Sequence, residues 1–218
     1  MATTETTVKN SYIIFKTLAD RLLALLLLIL LFIIPLFPII CLLIKLESKG
    51  PIFYTQKRIG KAGKTFDMLK FRSMEVGSDK FLKEQIKKGF IDPLNFKTEV
   101  TDNYTKIGKF IRRTSIDELP QLINIIKGDM SVIGPRPIQQ FEIDNYVKDS
   151  KENKSNIEKR NRVLPGLLCY WQVSSNKESM GFDERLMLDI KYVDKISLIE
   201  DFKILFSGIK VVLFPNNI

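Results

Sequence analysis

The sequence predicts an α+β, mostly helical, monotopic membrane protein with a re-entrant N-terminal helix, a small β-hairpin and interfacial amphipathic helices. Three observations carry that expectation. Leu22 to Ile44 is a run of 23 residues without a charge, a glycine or a serine. Two aromatic-rich stretches between Pro51 and Met74 flank a Gly- and Lys-rich loop, and apolar residues recur at helical spacing through much of the remainder. The chain divides accordingly into an amphipathic start with the re-entrant helix, residues 1–46, and a cytoplasmic domain ending in interfacial helices, residues 47–218.

At about 1.5 Å per residue the apolar run reaches roughly 34 Å as a straight helix, against roughly 30 Å of bilayer hydrocarbon. Two features argue that it enters the bilayer and returns. Pro35 and Pro38 lie past its midpoint, where each removes a backbone donor and crowds the carbonyl four residues earlier, so the helix bends. Lys9, Lys16 and Arg21 precede the run while Lys45, Lys49, Lys57 and Arg58 follow it, which draws both ends to the cytoplasmic side. A cleaved signal peptide fits less well, since the stretch exceeds the usual apolar region of about 7–15 residues and no small-residue cleavage motif follows. A single kinked spanning helix is the competing reading, because proline is tolerated in membrane helices. Lys16 and Asp20, one helical turn apart, are read as an ion pair at headgroup level.

Pro51 to Met74 reads as a hairpin with a longer loop. Ser78 to Gly89 reads as a short capped helix and Phe90 to Lys106 as a polar connection containing Pro93. The best helix signal of the second region is Arg112 to Gly128: Leu119, Leu122, Ile123 and Ile126 form one stripe, and Gly128 stands as the stop. Phe182 to Val193 and Leu198 to Phe214 are amphipathic. The second leaves only a narrow polar face with Asp201, Lys203 and Lys210, which suits an interfacial helix and a core helix equally.

Composition restricts the chemistry. The 34 Lys plus Arg exceed the 25 Asp plus Glu by 9, so the chain attracts polyanions, without choosing among nucleic acid, anionic lipid and nucleotide phosphates. With no histidine, a Ser-His-Asp triad, a Cys-His pair and a His-ligated zinc are all excluded. Cys41 and Cys169 make no disulfide framework, and Cys169 is read as a small core residue. The Gly60 to Thr65 stretch, GKAGKT, imitates a P-loop, but Arg58 stands where its first glycine belongs. Lys151 to Arg162 is read as a solvated face, and Tyr104 and Trp171 as buried or interfacial aromatics, not base-stacking platforms.

The residues that carry chemistry lie between Gly108 and Pro137, where Asp117 and Glu118 adjoin at the start of the striped helix. One reading is purely structural, with Ser115 the N-cap, Glu118 completing a capping box and both acids complementing the helix dipole. The other starts from the cations. Arg112 and Arg113 lie one turn upstream, and Pro135 and Pro137 hold Arg136 rigidly between them. A helix N-terminus and arginine forks together make a phosphate site, in which a carboxylate pair can hold a divalent cation.

At these residues the sequence resembles the monotopic phosphoglycosyl transferases of the bacterial sugar transferase family, over nearly its whole length. The motifs are Lys16 and Asp20 ahead of the membrane run, LKFRSM at Leu69 to Met74, RRTSIDELPQL at Arg112 to Leu122, KGDMSVIGPRP at Lys127 to Pro137, and PGLLCYWQV at Pro165 to Val173. The resemblance implies an enzyme on the cytoplasmic face of the bacterial inner membrane. It would move a sugar phosphate from a UDP-sugar to a polyprenol phosphate, in such families undecaprenyl phosphate, and release UMP. It implies Asp117 as nucleophile and Glu118 as catalytic partner and ligand of Mg²⁺. Arg112 and Arg136 would hold phosphates, with Lys70 and Arg72 as further candidates. Ser115, Pro135 and Pro137 would shape the site, and Pro35 the membrane bend.

The chain departs from the family pattern at Ile34, where a serine often precedes the membrane proline, and at Leu164, Leu168 to Gln172 and Ser174 to Asn176. The first removes the hydroxyl expected to stabilise the bend; the others border the expected nucleotide or sugar region and leave the donor sugar open. A homo-oligomer is compatible with this sequence, and no nucleic-acid partner is expected. The rival readings are an idle membrane-surface binder, which has no need of the Asp117-Glu118 pair, and a membrane-tethered nucleic-acid binder, which requires steeply salt-dependent binding.

Overall fold

The apolar run folds as two helices, α1 (Ala2–Ile33) and α2 (Leu36–Glu47), bent by 65° between Ser11–Ile33 and Leu36–Glu47. The break falls at Ile34-Pro35, as expected of a residue with no backbone donor. The computed structural model describes residues 2–90, 92, 94, 103–148, 150–177 and 179–213. Among them no single helix is long and apolar enough to cross a membrane, and only the bent pair has the length and composition to do so.

The pair presents two faces. Ala24, Leu28 and Leu31 of α1 and Phe37, Ile40 and Ile44 of α2 turn inward. Each large buried side chain stabilises the fold by about 1.5–3 kcal/mol relative to exposure. Ile14, Phe15, Leu18, Leu22 and Ile33 of α1, and Ile39, Leu42 and Leu46 of α2, remain exposed.

The hairpin is present. β1 (Phe53–Ile59) pairs antiparallel with β2 (Thr65–Phe71), Phe53 opposite Phe71 and Ile59 opposite Thr65. The P-loop mimic is its turn, a 3₁₀ segment at Lys61–Gly63. Phe37 of α2 packs on Phe71 with ring centroids 4.8 Å apart, fastening the bent pair to the hairpin. Arg72 reinforces this junction. It donates to the carbonyls of Lys49 at 2.6 Å, Ser48 at 2.8 Å and Ile44 at 3.4 Å, supplying partners for the C-terminal end of α2. Arg72, a further phosphate candidate in the sequence, thus has both terminal nitrogens on backbone carbonyls while it also lines the cavity described below.

α3 (Ser78–Lys87) follows, its N-terminus at Gly77 with no side-chain cap. The connection read at Phe90 to Lys106, with Pro93, lies largely outside the described residues. The helix expected over Arg112 to Gly128 is three pieces instead. α4 (Lys106–Arg113), capped by Thr105, carries Arg112 and Arg113 in its last turn. A 3₁₀ turn, Ile116–Glu118, comes next, and α5 (Gln121–Lys127) begins after Pro120. Ser115 does not cap a helix: it sits in the left-handed region at φ 57° with no side-chain capping bond. Pro120 explains the break, since proline favours a first-turn position and in a helix interior removes a backbone donor and crowds the preceding turn. Gly128 ends α5 in the left-handed conformation, as read.

β3 (Ser131–Ile133) pairs in parallel with β4 (Gly166–Leu168). Glycines permit the approach: a Cβ on Gly166 would lie 2.1 Å from the Gly134 nitrogen. α6 (Gln140–Val147) and α7 (Lys151–Arg160) lie between these strands in sequence, and α8 (Phe182–Lys195) and α9 (Leu198–Leu213) complete the chain. α7 is the mostly solvated helix expected, apart from buried Ile157 and Arg160.

α9 combines the two readings: Asp201 and Ile204 turn inward, while Lys203 and Lys210 stay exposed. Asp201 is buried and accepts from Tyr12 at 2.7 Å and Tyr192 at 2.6 Å, while Lys16 lies 2.6 Å from it. Phe202, Phe206 and Ile209 are exposed. Lys16 also pairs with Asp20 at 3.2 Å, both side chains largely buried, so this pair docks α1 onto α9.

Candidate active site

Asp117 and Glu118 sit in a turn that the sequence forces between two helices, and α5 fixes that turn against the hairpin. Asn124 of α5 donates to the Asp67 carbonyl at 2.8 Å and accepts from the Leu69 amide at 3.0 Å. The next residue of β2, Lys70, thereby meets both acids: its Nζ lies 2.6 Å from Glu118 Oε1 and 4.0 Å from Asp117 Oδ2.

The two carboxylates titrate in opposite directions. Burial pushes Asp117 above the ordinary carboxylate range, Glu118 adds to the shift, and Lys70 and Arg112 only partly offset it. Burial also opposes ionisation of Glu118, but Lys70, Arg136 and Arg112 outweigh it and hold that carboxyl below the usual range. Two adjacent acids thus acquire different characters from their surroundings.

Arg136 is fixed from several sides. Its amide donates to Asp189 Oδ1 at 3.3 Å, its carbonyl accepts from Arg160 Nη2, and the Pro137 carbonyl accepts from Arg58 at 2.9 Å. The guanidinium lies over the Trp171 ring, 4.9 Å from its centroid. Arg112 lies likewise over Tyr104 at 4.8 Å. Cations stacked on aromatic faces keep their outer N–H groups available to an anion.

Lys70, Arg112, Asp117 and Arg136 line one cavity of about 560 Å³, joined by Arg58, Gln139, Trp171 and Arg185. That volume is in the range of small-molecule sites. Glu118 borders it through Lys70 and Arg136, in a small adjoining recess. The cavity therefore gathers a buried carboxylate, several cations and a half-buried aromatic ring, parts that suit a nucleotide or sugar-phosphate ligand.

Compared with known proteins, residues 11–215 match the family model described as bacterial sugar transferase. The chain belongs to that family. It is 40% identical over 164 residues to "Galactosyl transferase CpsE" of Streptococcus agalactiae, covering 75% of this chain and 35% of that protein. It is 40% identical over 171 residues to "Undecaprenyl-phosphate galactose phosphotransferase" of Salmonella typhimurium, covering 75% and 34%. Against "Exopolysaccharide production protein ExoY" of Sinorhizobium fredii it is 37% identical over 182 residues, covering 82% and 77%. The chain thus spans about a third of the first two relatives and most of the third.

For a member of this family, the structure brings together Asp117, Glu118, Lys70, Arg112 and Arg136, with Pro135 and Pro137 buried behind them. Arg72 borders the cavity but points its forks elsewhere, and Ser115 contributes backbone shape alone. Sequence reasoning missed Arg58, Arg160, Asp189 and the cation-stacking role of Trp171. The hydrophilic run containing Arg160 and the amphipathic pattern containing Asp189 carry no local mark of burial. As to a divalent cation, no three acidic or thiol side chains converge among the described residues. Asp117 and Glu118 still fit Mg²⁺, which is held by one or two carboxylates and completed by substrate phosphates and water.

Proposed function

We propose that this chain is a phosphoglycosyl transferase that moves a sugar phosphate from a UDP-sugar to a polyprenol phosphate and releases UMP. The observation that carries the reading is the cavity holding Asp117 among Lys70, Arg112 and Arg136. The names of the Salmonella and Streptococcus relatives, a galactose phosphotransferase to undecaprenyl phosphate and a galactosyl transferase, agree with it. The product starts assembly of a lipid-linked glycan.

Asp117 acts as nucleophile. One carboxylate oxygen bonds to the β-phosphorus of the donor while the bond from that phosphorus to the bridging oxygen breaks, and UMP leaves with the electron pair. The intermediate is a phosphosugar-aspartyl mixed anhydride. A phosphate oxygen of the polyprenol phosphate then attacks the same phosphorus, and the Asp117 carboxylate is the leaving group. Arg136 and Arg112 hold the phosphate oxygens as their charge redistributes. Lys70 keeps Glu118 ionised beside the nucleophile. Glu118, with Asp117 adjoining, would hold Mg²⁺, which when bound neutralises diphosphate charge and lets an anionic carboxylate approach.

The acceptor is a lipid, so the nucleophile must stand at headgroup level. The exposed apolar faces of α1, α2 and α9 suit a bilayer surface. We read the bent pair as a re-entrant anchor and the enzyme as seated on the cytoplasmic face of the inner membrane. Single cysteines at Ser11 and Lys49 are both expected to react with an impermeant thiol reagent only from the cytoplasmic side; labelling of either from the periplasm removes the re-entrant topology while sparing the chemistry.

The reaction is tested by assaying the purified full chain for UMP release against a panel of UDP-sugars with undecaprenyl phosphate. Turnover is expected with at least one donor in Mg²⁺ and its loss in EDTA. An absence of release across the panel would overturn the reading.

A further inference from the structure

We propose that Arg160 and Asp189, which lie behind the cavity wall, are positioning residues that lock the Arg136 backbone so that its guanidinium stays over Trp171, facing the ligand. The segment Pro135-Arg136-Pro137 has a single backbone N–H, because neither proline carries one. That donor is given to Asp189 Oδ1 at 3.3 Å. The other carboxylate oxygen accepts from Arg160 Nε at 3.1 Å, and Arg160 reaches on to the Arg136 carbonyl. One acid and one base from α8 and α7 therefore grip the donor and the acceptor of the same residue.

The two side chains are 2% and 5% exposed. An ion pair so removed from water gains little over an apolar replacement, since desolvation offsets most of its attraction. The neighbouring helices have an apolar contact of their own in Ile157, Phe182, Leu186 and Ile190. Holding α7 against α8 thus leaves the pair unexplained, whereas fixing Arg136 accounts for both of its ends. A planar guanidinium must be aimed within a fraction of an ångström to engage phosphate oxygens with both forks. The prolines fix their own φ, and Pro137 confines Arg136 to extended backbone, but neither aims the Arg136 peptide groups and side chain at the cavity, which is left to contacts from outside the segment.

The chain offers a direct reporter, because Trp171 is its only tryptophan. The test uses the full-length protein in one lipid environment, with D189N, R160K, R136M and the double variant R136M/D189N. One readout is Trp171 emission and its change on titration with inorganic pyrophosphate, and the other is kcat and KM for UMP release. D189N is expected to shift the emission in the same direction as R136M, weaken the pyrophosphate response, and lower kcat/KM roughly 10–100-fold, the usual loss when a supporting contact behind a site is removed. The double variant is expected to be no slower than R136M alone, since both changes disable the same group.

Losses that multiply, or emission unchanged in D189N, would refute the clamp. If D189N does not fold, R160K carries the same cycle, because lysine reaches Asp189 but cannot also fork to the Arg136 carbonyl. The turnover arm rests on the transfer reaction proposed above. The fluorescence arm does not, so absent UMP release with intact coupling would sink that reaction and leave the clamp standing.

Discussion

Asp117→Asn is expected to lower UMP release at least about 10⁴-fold, the scale seen when a covalent nucleophile is removed, and at the same time to raise the melting temperature. The two effects have one cause. Asp117 is 5% exposed, and burial holds its carboxyl above the ordinary value of 3.8. Between 3.8 and that higher value the folded chain binds more protons at this site than the unfolded chain. Stability therefore falls as pH rises through the window, and the deficit persists at neutral pH. Asparagine keeps the shape and has no charge to desolvate. Thermal melts in EDTA, where no metal compensates the charge, should give D117N the higher midpoint at about pH 7.5, with the difference shrinking toward pH 4. Turnover equal to the parent chain would remove Asp117 from its role; a lower midpoint at neutral pH would show that its ionised form is better solvated than its burial implies.

Much of this arrangement was legible in the sequence because it depends on local rules. The hairpin follows from two aromatic runs about a Gly-rich turn, and the break at Pro35 from a missing donor. The Asp117-Glu118 pair and the Pro135-Arg136-Pro137 rigidity were likewise visible as residue types at fixed spacing. What failed was the continuation of a helix across Pro120. The stripe from Leu119 to Ile126 has helical period, yet Pro120 starts α5 and Ser115 turns left-handed, so the acids occupy a separate turn. The periodicity of α5 was read correctly; its reach was not.

Contacts between distant segments were not legible at all. Arg160 closes a hydrophilic helix and reads as solvated, but it is buried because α8 brings Asp189 to it. Asp201 marks the narrow polar face of α9, a pattern that leaves interfacial and core packing equally open; three partners from α1 and α8 decide it by drawing the carboxylate inside. Arg72 shares a motif with Lys70, and since Lys70 reaches the acids, the next same-side cation invites the same reading. β2 ends at Phe71, however, and Arg72 turns to the end of α2. In each case the sequence gives the charge, and the tertiary partner decides what the charge does.

Lys70→Met is expected to be the costliest single change to the site after loss of the nucleophile, and to affect stability in the opposite sense from D117N. The Lys70 ammonium is 2.6 Å from Glu118 and 4.0 Å from Asp117. Without it two adjacent, largely buried carboxylates face each other with only Arg112 and Arg136 to compensate. Glu118 is held below its ordinary 4.5 by Lys70 and the arginines, so its ionised form contributes stability above that value, and the contribution is lost as pH falls through the depressed one. Methionine withdraws most of that contribution at neutral pH. Breaking such a pair costs about 3–5 kcal/mol when fully buried. At 18% and 20% exposure the lower end applies, about 3 kcal/mol, or a fall of roughly 6–12 °C in a chain of this size. Turnover should fall by about 10²–10³, as for loss of one preorganised electrostatic contact. K70R should restore most of the stability, since charge is what the pair requires. In K70M/D117N the crowding of two anions is gone, so its midpoint should lie above that of K70M, and the gain from D117N should be larger there than in the parent chain. Equal gains in the two backgrounds would mean that Lys70 serves Glu118 alone and leaves the nucleophile to the arginines.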